Sequence, residues 1–230
     1  MATCPLCGGT KFGDYRGRHE ARCATCGSKE RARIMAIVIR KLLPNSTELP
    51  VLHFAPEKAI ADLLIDKFGS NYAPADYSPE SYAWSKVPVQ KVDLSRPRDY
   101  LHPSSNRGLI HSHVLEHIPG ALDRIIEEMN ESLVQGGFHL FQVPIIKGWY
   151  REDMDPDMSA EKRTDAFFQF DHLRIFGDKD FEDRVLRLFK GFTRIDIGSQ
   201  ISSVDLENAQ VPISTLSRFN GHTPFLFIKN

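Results

Sequence analysis

Between residues 51 and 230, short apolar runs alternate with stretches in which apolar residues recur every three or four positions. That change of period predicts a mostly parallel sheet covered by helices. Seven runs read as strands: 51–55 (VLHFA), 71–76 (NYAPAD), 88–93 (PVQKVD), 108–114 (GLIHSHV), 138–144 (FHLFQVP), 192–197 (FTRIDI) and 224–229 (PFLFIK). Between the first two, Ile60, Leu63, Leu64 and Phe68 form a helical stripe. After the fourth, Leu122, Ile125, Ile126, Met129 and Leu133 form another, with Gly136-Gly137 as its stop. Phe181, Val185 and Phe189 mark a third, with Asp178 or Asp180 as cap and Gly191 as stop. No clear helix separates the last two strands, which predicts an added hairpin at one sheet edge.

Upstream, 28–43 (SKERARIMAIVIRKLL) reads as a helix with Ser28 as N-cap. Its apolar surface is wide enough to predict packing on the main domain, and 44–50 (PNSTELP) reads as a linker. All four cysteines lie before it, as CPLC (Cys4, Cys7) and CATC (Cys23, Cys26), with fifteen residues between the pairs. Each pair suits a tight knuckle, turned by Gly8 and Gly27, with both thiolates aimed at one point. Four thiolates make a closed tetrahedral site, the chemistry of structural zinc rather than of catalysis. Two disulfides are the competing reading, disfavoured in a reducing cytoplasm.

Composition narrows the class. A chain of 230 residues with 41% hydrophobic and 26% charged residues suits one α/β domain, 47–230, plus a small appendage, 1–46. No apolar run reaches the roughly 18 to 20 residues of a membrane span, and the N-terminus shows no signal pattern, so a cytoplasmic protein without membrane contact is expected. The net charge of −1 divides unevenly: residues 1–46 carry +6 and the remainder −7. A basic end on an acidic body can attract RNA, or be solvated surface.

In open α/β sheets ligands bind where the strands end at their carboxyl side. The first strand ends in Ala55-Pro56-Glu57, the second in Asp76, the third in Asp93, and the fourth runs into Ser112-His113. Ionised groups at successive strand ends gain little unless a ligand or water satisfies them. An acid ending the second strand is the usual acceptor for ribose hydroxyls, which places Asp76. Asp93 can accept from an exocyclic amine such as that of adenine.

From VLHFAPE through ADYSPE, VDLS, SHVLEHIPG and LVQGGFHLFQVP to FDHLRIFGDKDF, the chain resembles a class I S-adenosylmethionine-dependent methyltransferase. More narrowly it is similar to a bacterial methyltransferase type 11-like group with an N-terminal two-CxxC zinc ribbon, whose link into the first helix CGSKERAR matches. The resemblance implies a Rossmann-like, seven-stranded, mostly parallel sheet with Phe54, Ala55, Pro56, Glu57, Asp76, Tyr77, Asp93, Leu94, Ser112 and His113 around S-adenosyl-L-methionine. His53 stands where the family usually has an acid, and Ala55-Pro56-Glu57 replaces its glycine-rich turn. Glu57 can accept from the cofactor's ammonium.

HSHVLEH (His111, His113, Glu116, His117) does not fit the HxHxDH spacing of metallo-hydrolases. By resemblance, Glu116 and His117 border the transfer site. The base candidates are His117 and His172, with Asp171 and Glu116 behind them. Residues 145–178, with Trp149, Tyr150, Phe167, Phe168 and Phe170 among many charges, read as a lid against which the acceptor binds. Segment 198–223 is expected as a loop forming the opposite wall. The expected acceptor is a small-molecule or glycan hydroxyl or amine, favoured by the neutral-to-acidic main domain. RNA or protein gripped by the basic ribbon is the alternative, and a non-catalytic interaction module the third. No NPPY-like motif follows the fourth strand, which disfavours methylation of exocyclic base amines.

Overall fold

The computed structural model describes residues 1–230. Its first elements are an antiparallel hairpin, β1 (Phe12–Tyr15) and β2 (Arg18–Cys23), flanked by the cysteine knuckles, and then α1 (Glu30–Leu42). Ser28 does not cap α1. Lys29 holds the N-cap position, and the Ser28 Oγ lies 3.1 Å from Cys26 Sγ and 3.4 Å from Cys4 Sγ. The crowded sulfurs take the hydroxyl that the helix start was expected to use.

The main domain runs β3 (Val51–Phe54), α2 (Lys58–Phe68), β4 (Tyr72–Asp76), β5 (Gln90–Lys91), β6 (Asn106–Ser112), α3 (Leu122–Glu131) and β7 (Leu133–Gln142). Segment 145–178, expected as a lid, follows with β8 (Ile145–Ile146), β9 (Arg151–Glu152), α4 (Ala160–Phe167) and β10 (Arg174–Gly177). The chain closes with β11 (Phe192–Arg194) and β12 (Phe225–Lys229). The seven expected strands form one sheet in the order β11-β12-β7-β6-β3-β4-β5, in which only β12 runs against its neighbours. From β3 the chain moves outward to β4 and β5, then crosses back to β6 and β7. Connections therefore diverge above β3 and β6, which opens a crevice at their carboxyl ends.

Two buried clusters cover the faces of the sheet. One packs Ile125 and Met129 of α3 against Leu109 and Phe141; the other packs Ile34 and Val38 of α1 and Leu64 of α2 against Ile110 and Leu140. The helix after the ribbon thus belongs to the core of the main domain, as its wide apolar surface predicted. Gly108 allows close packing within the sheet, because a Cβ there would fall inside the buried Phe138 ring.

Three expectations are corrected. Gly136-Gly137 does not stop α3 but lies inside β7; the helix ends at Ser132, whose hydroxyl donates to Met129 O at 2.7 Å. A Cβ on Gly137 would meet Val134 O at 2.7 Å, and Gly136 has φ of 72°, so the pair serves a kink in the strand. The third helix is a single turn, Phe181–Arg184, continued by a 3-10 turn, Leu186–Leu188. Asp180 holds the N-cap position, as one of the two candidates, but without a side-chain capping bond: Asp178 and Asp180 accept from Gly148 N at 2.8 Å and Tyr150 N at 2.9 Å, and so tie down segment 145–178. β11 and β12 pair antiparallel at the sheet edge, but their connection is no simple loop. It carries three short helices, Ile197–Gln200, Ser203–Asn208 and Ser214–Ser217, the second closed by a capping box of Ser202 and Asp205. No helix is long and apolar enough to cross a membrane.

Candidate functional site

At the N-terminus, Cys4 Sγ lies 3.7 Å from Cys26 Sγ and Cys7 Sγ 3.6 Å from Cys23 Sγ. All four sulfurs fall within 4.8 Å of one another. A disulfide would require about 2.05 Å, and no pair is bonded. Four thiolates around a zinc ion at about 2.3 Å stand roughly 3.8 Å apart, so these sulfurs fit that ion. Arg33, with no exposed surface, anchors the ribbon to the domain. It donates to Ala21 O and Ser28 O in the ribbon, at 3.0 and 2.7 Å, and to Ala209 O and Gln210 O, at 2.6 and 2.7 Å.

Above the crevice lies a cavity of about 650 Å³, within the usual range for small-molecule sites. Seven of the ten residues expected around the cofactor line it: Phe54, Ala55, Asp76, Tyr77, Asp93, Leu94 and His113. Asp76 ends β4 and accepts from Ser78 N at 2.8 Å and Tyr82 Oη at 2.7 Å, which orients its carboxylate. Burial raises the Asp93 pKa, but hydrogen bonds from Ser95 and the charges of Arg96 and Lys91 outweigh it and hold the group below its usual value. Ala55 and His113 both adopt left-handed backbone, φ 49° and 56°, at the ends of β3 and β6. Non-glycine residues seldom take that conformation, and such strain clusters where structure serves a ligand. Ala55 therefore bends the chain as a glycine would in that turn.

Three expected residues stand elsewhere. Pro56 and Glu57 lie beyond the cavity wall, and the Glu57 carboxylate is 2.6 Å from Arg31 Nη2. Ser112 donates to Gln142 Oε1 at 3.0 Å. His53, at the position where the resemblance would place an acid, is buried in β3 and hydrogen-bonds Tyr72 Oη at 3.1 Å. Ser78, Val92, Ser95, Val114, Ile118 and Pro119 complete the cavity without having been singled out. They flank the acids and histidines that were, and side chains without chemistry leave no other trace in a sequence.

Of the base candidates, His117 and Asp171 line the cavity, and Glu116 and His172 lie behind them. His117 Nδ1 is 3.3 Å from both the Asp171 carboxylate and its carbonyl. His172 donates Nδ1–H to Phe167 O at 3.0 Å, its ring 4.7 Å from that of His117. Glu116 has no exposed surface, and neither of its carboxylate oxygens has a hydrogen-bond partner. Burial pushes its pKa up to about 8, so the group is protonated at neutral pH. His113 Nδ1 faces it at 3.5 Å, while His113 Nε2–H donates to Gly221 O at 2.9 Å. Segment 198–223 thus reaches the site at that point. Ligand-type atoms of Glu116, His117 and His172 come within 4.8 Å of one another.

Segment 145–178 is held by two buried arginines. Arg163 donates to Asp153 O, Asp155 O and His172 O; Arg174 donates to Leu115 O at 3.1 Å and Gly120 O at 2.6 Å, next to the site. Trp149, Phe168 and Phe170 remain exposed on its surface.

His111 Nε2 and His139 Nε2 are 2.9 Å apart, and His139 Nδ1–H donates to Asn130 Oδ1 at 2.7 Å. His111 must then donate to a neutral His139, and both rings are held uncharged in the core. Burial depresses His53, His113 and His139 to about 3 and His111 well below 6.5. The unfolded chain takes up these protons below about pH 6.5 while the folded chain refuses them, so stability is lost as pH falls from 6.5 towards 3. Glu116 works oppositely: its raised pKa makes stability fall as pH rises from about 4.5 to 8. From pH 7.5 to 5.5 the four histidines cost on the order of 5 kcal/mol and Glu116 returns about half of that. A net loss of about 3 kcal/mol is expected in urea unfolding at saturating zinc; equal midpoints at the two pH values would mean that the histidines charge within the fold.

No family model matches the sequence, and no curated protein matches it significantly. Solved structures do. An S-adenosylmethionine-dependent methyltransferase from Mesorhizobium loti aligns over 87% of this chain and 98% of its own, with a TM-score of 0.55 and 12% identity. Another from Archaeoglobus fulgidus aligns over 88% and 94%, with a TM-score of 0.52 and 16% identity. The chain has the Rossmann-like fold of class I S-adenosylmethionine-dependent methyltransferases.

Proposed function

We propose that the chain is an S-adenosylmethionine-dependent methyltransferase acting on a hydroxyl or amine of a small molecule or glycan, with a structural zinc ion in its ribbon. The observation that carries this reading is the pair of carboxylates, Asp76 and Asp93, at the ends of neighbouring strands around one cavity at the switch point of the sheet. Asp76 would accept from the ribose hydroxyls and Asp93 from the adenine amine, with Tyr77 and Leu94 against the base. Ala55 and His113 would border the sulfur.

The bound cofactor supplies a methyl group on sulfonium, electrophilic without further activation. The chain's part is alignment and proton transfer. His117 donates Nδ1–H to Asp171, which leaves its Nε2 lone pair to receive the acceptor's proton. Protonated Glu116, 3.9 Å from that nitrogen, adds no competing charge. The acceptor would lie between His117 and the lid, where exposed aromatic rings suit an apolar or sugar face. Calorimetric titration with S-adenosylhomocysteine tests the reading. Micromolar binding is expected; no heat and no thermal shift at millimolar ligand would leave only the interaction module.

One observation favours an RNA acceptor as a second reading. The Tyr15 ring on the ribbon hairpin has Lys29 Nζ 4.7 Å from its centroid and the guanidinium carbons of Arg16 and Arg18 at 5.4 and 5.9 Å. An aromatic face among three cations suits a stacked base with its phosphates. Under that reading, affinity for a single-stranded RNA falls at least tenfold between 50 and 200 mM salt. Absence of binding at low salt would discard it.

A further inference from the structure

The Arg31–Glu57 ion pair is left over from both the ribbon and the cavity. Arg31 lies in the first turn of α1, five residues beyond the last zinc-type cysteine, and Glu57 lies two residues beyond the left-handed Ala55. Arg31 Nη2 meets Glu57 Oε1 at 2.6 Å, and both side chains keep about a third of their surface exposed. The adjacent Nε of Arg31 is buried and has no hydrogen-bond partner. A guanidinium offers five donors in a planar fork and binds carboxylates through two of them. Glu57 engages one prong of that fork, and the buried Nε is left without an acceptor, an arrangement that folded proteins seldom tolerate unless a ligand completes it.

In the strand order β6-β3-β4-β5, His113 and Asp93 follow the outer two strands on opposite sides of the crevice, and Glu57 follows β3, beside β6. The Arg31 charge is among the causes that lower the pKa of His113 and oppose the rise at Glu116. With adenosine held at Asp93 and Asp76, the amino-acid end of the ligand points to this side. That end carries an ammonium and a carboxylate, charges complementary to Glu57 and Arg31.

We infer that Arg31 binds the carboxylate of the cofactor's amino-acid moiety, so that the helix leaving the zinc ribbon completes the cofactor site. This rests on reading the cavity as the S-adenosylmethionine site. Glu57 turns to the ammonium, and the Arg31 fork, its Nε included, turns to the carboxylate. The ribbon sets the position of Arg31, because Arg33 two residues on clamps the same helical turn to ribbon carbonyls and to Ala209 and Gln210. Cofactor affinity and ribbon integrity are then linked, each strengthening the other.

The test compares two ligands on the full-length, zinc-replete chain: S-adenosylhomocysteine, and 5′-methylthioadenosine, which keeps the adenosyl thioether but lacks the amino-acid end. Arg31→Gln is expected to weaken the first roughly 10- to 100-fold and to leave the second within about twofold, with Arg31→Lys in between. Equal weakening of both ligands, or no change in either, overturns the assignment. Failure of the parent protein to bind either ligand removes the cavity reading and this inference with it. A melting temperature within a few degrees of the parent for either variant shows that the comparison is made on folded protein.

Discussion

Asp76→Ala is expected to raise the dissociation constant for S-adenosylhomocysteine by about 150-fold or more. Hydrogen bonds to a charged acceptor contribute roughly 1.5–3 kcal/mol each, and a ribose presents two hydroxyls to one carboxylate, so about 3 kcal/mol is the smallest loss consistent with the proposed role. The geometry is prepared in advance. Ser78 N and Tyr82 Oη each donate to one Asp76 oxygen, which fixes the carboxylate plane before a ligand arrives. Alanine removes the acceptor and releases both donors, so Asp76→Asn separates the two effects: it keeps one acceptor oxygen and is expected to lose about tenfold. Calorimetry on the parent and both variants, with melting temperatures as a control for folding, decides it. Unchanged affinity in Asp76→Ala would take the ribose away from β4.

Removal of zinc is expected to lower the melting temperature by on the order of 10 °C, with the main domain affected as well as the ribbon. The ribbon buries little apolar surface of its own: its buried hydrophobic residues are Cys4, Ala21 and Cys23. Structural zinc contributes on the order of 10–16 kcal/mol to comparable small modules. Here its loss spreads through Arg33, a fully buried cation that takes two of its four carbonyl partners from the ribbon. Leaving a buried charge half-satisfied costs about 3–5 kcal/mol, and at this chain length each kcal/mol shifts melting by roughly 2–4 °C. Chelation and Cys23→Ser should act alike, and elemental analysis of the parent should find one zinc per chain. A chain without zinc that melts as before would make the sulfur cluster a reduced tetrathiol with no structural load.

These expectations draw on different depths of information. Asp76 and Asp93 were legible because a short apolar run followed by an acid is a local pattern, and its meaning depends only on where strands end. The cysteine spacing is local in the same way. Glu57 was assigned from its place after β3, yet that place says nothing of Arg31, which arrives 26 positions earlier along the chain and from another element. Ser112 was placed by adjacency to His113, and the left-handed turn at His113 separates the two, sending the hydroxyl to Gln142 and the imidazole into the cavity. Ser28 looked like a helix cap because capping is read from four consecutive residues, whereas its partners are sulfurs gathered from both ends of the ribbon.

By itself, then, the sequence determined the seven strands, their succession along the chain, the four cysteines whose sulfurs gather and the two acids that end β4 and follow β5, since all of these follow from periods and spacings read directly along the chain. It also implied that α1 must be covered, because so wide an apolar surface cannot stay in water. Only the tertiary structure decided which charges meet. It left Glu116 without a hydrogen-bond partner and protonated, sealed His111 and His139 as a neutral pair, and stapled segment 145–178 through Arg163 and Arg174. Protonation and pairing depend on solvent exclusion and on distances of a few ångströms between residues far apart in the chain, and no local pattern encodes either.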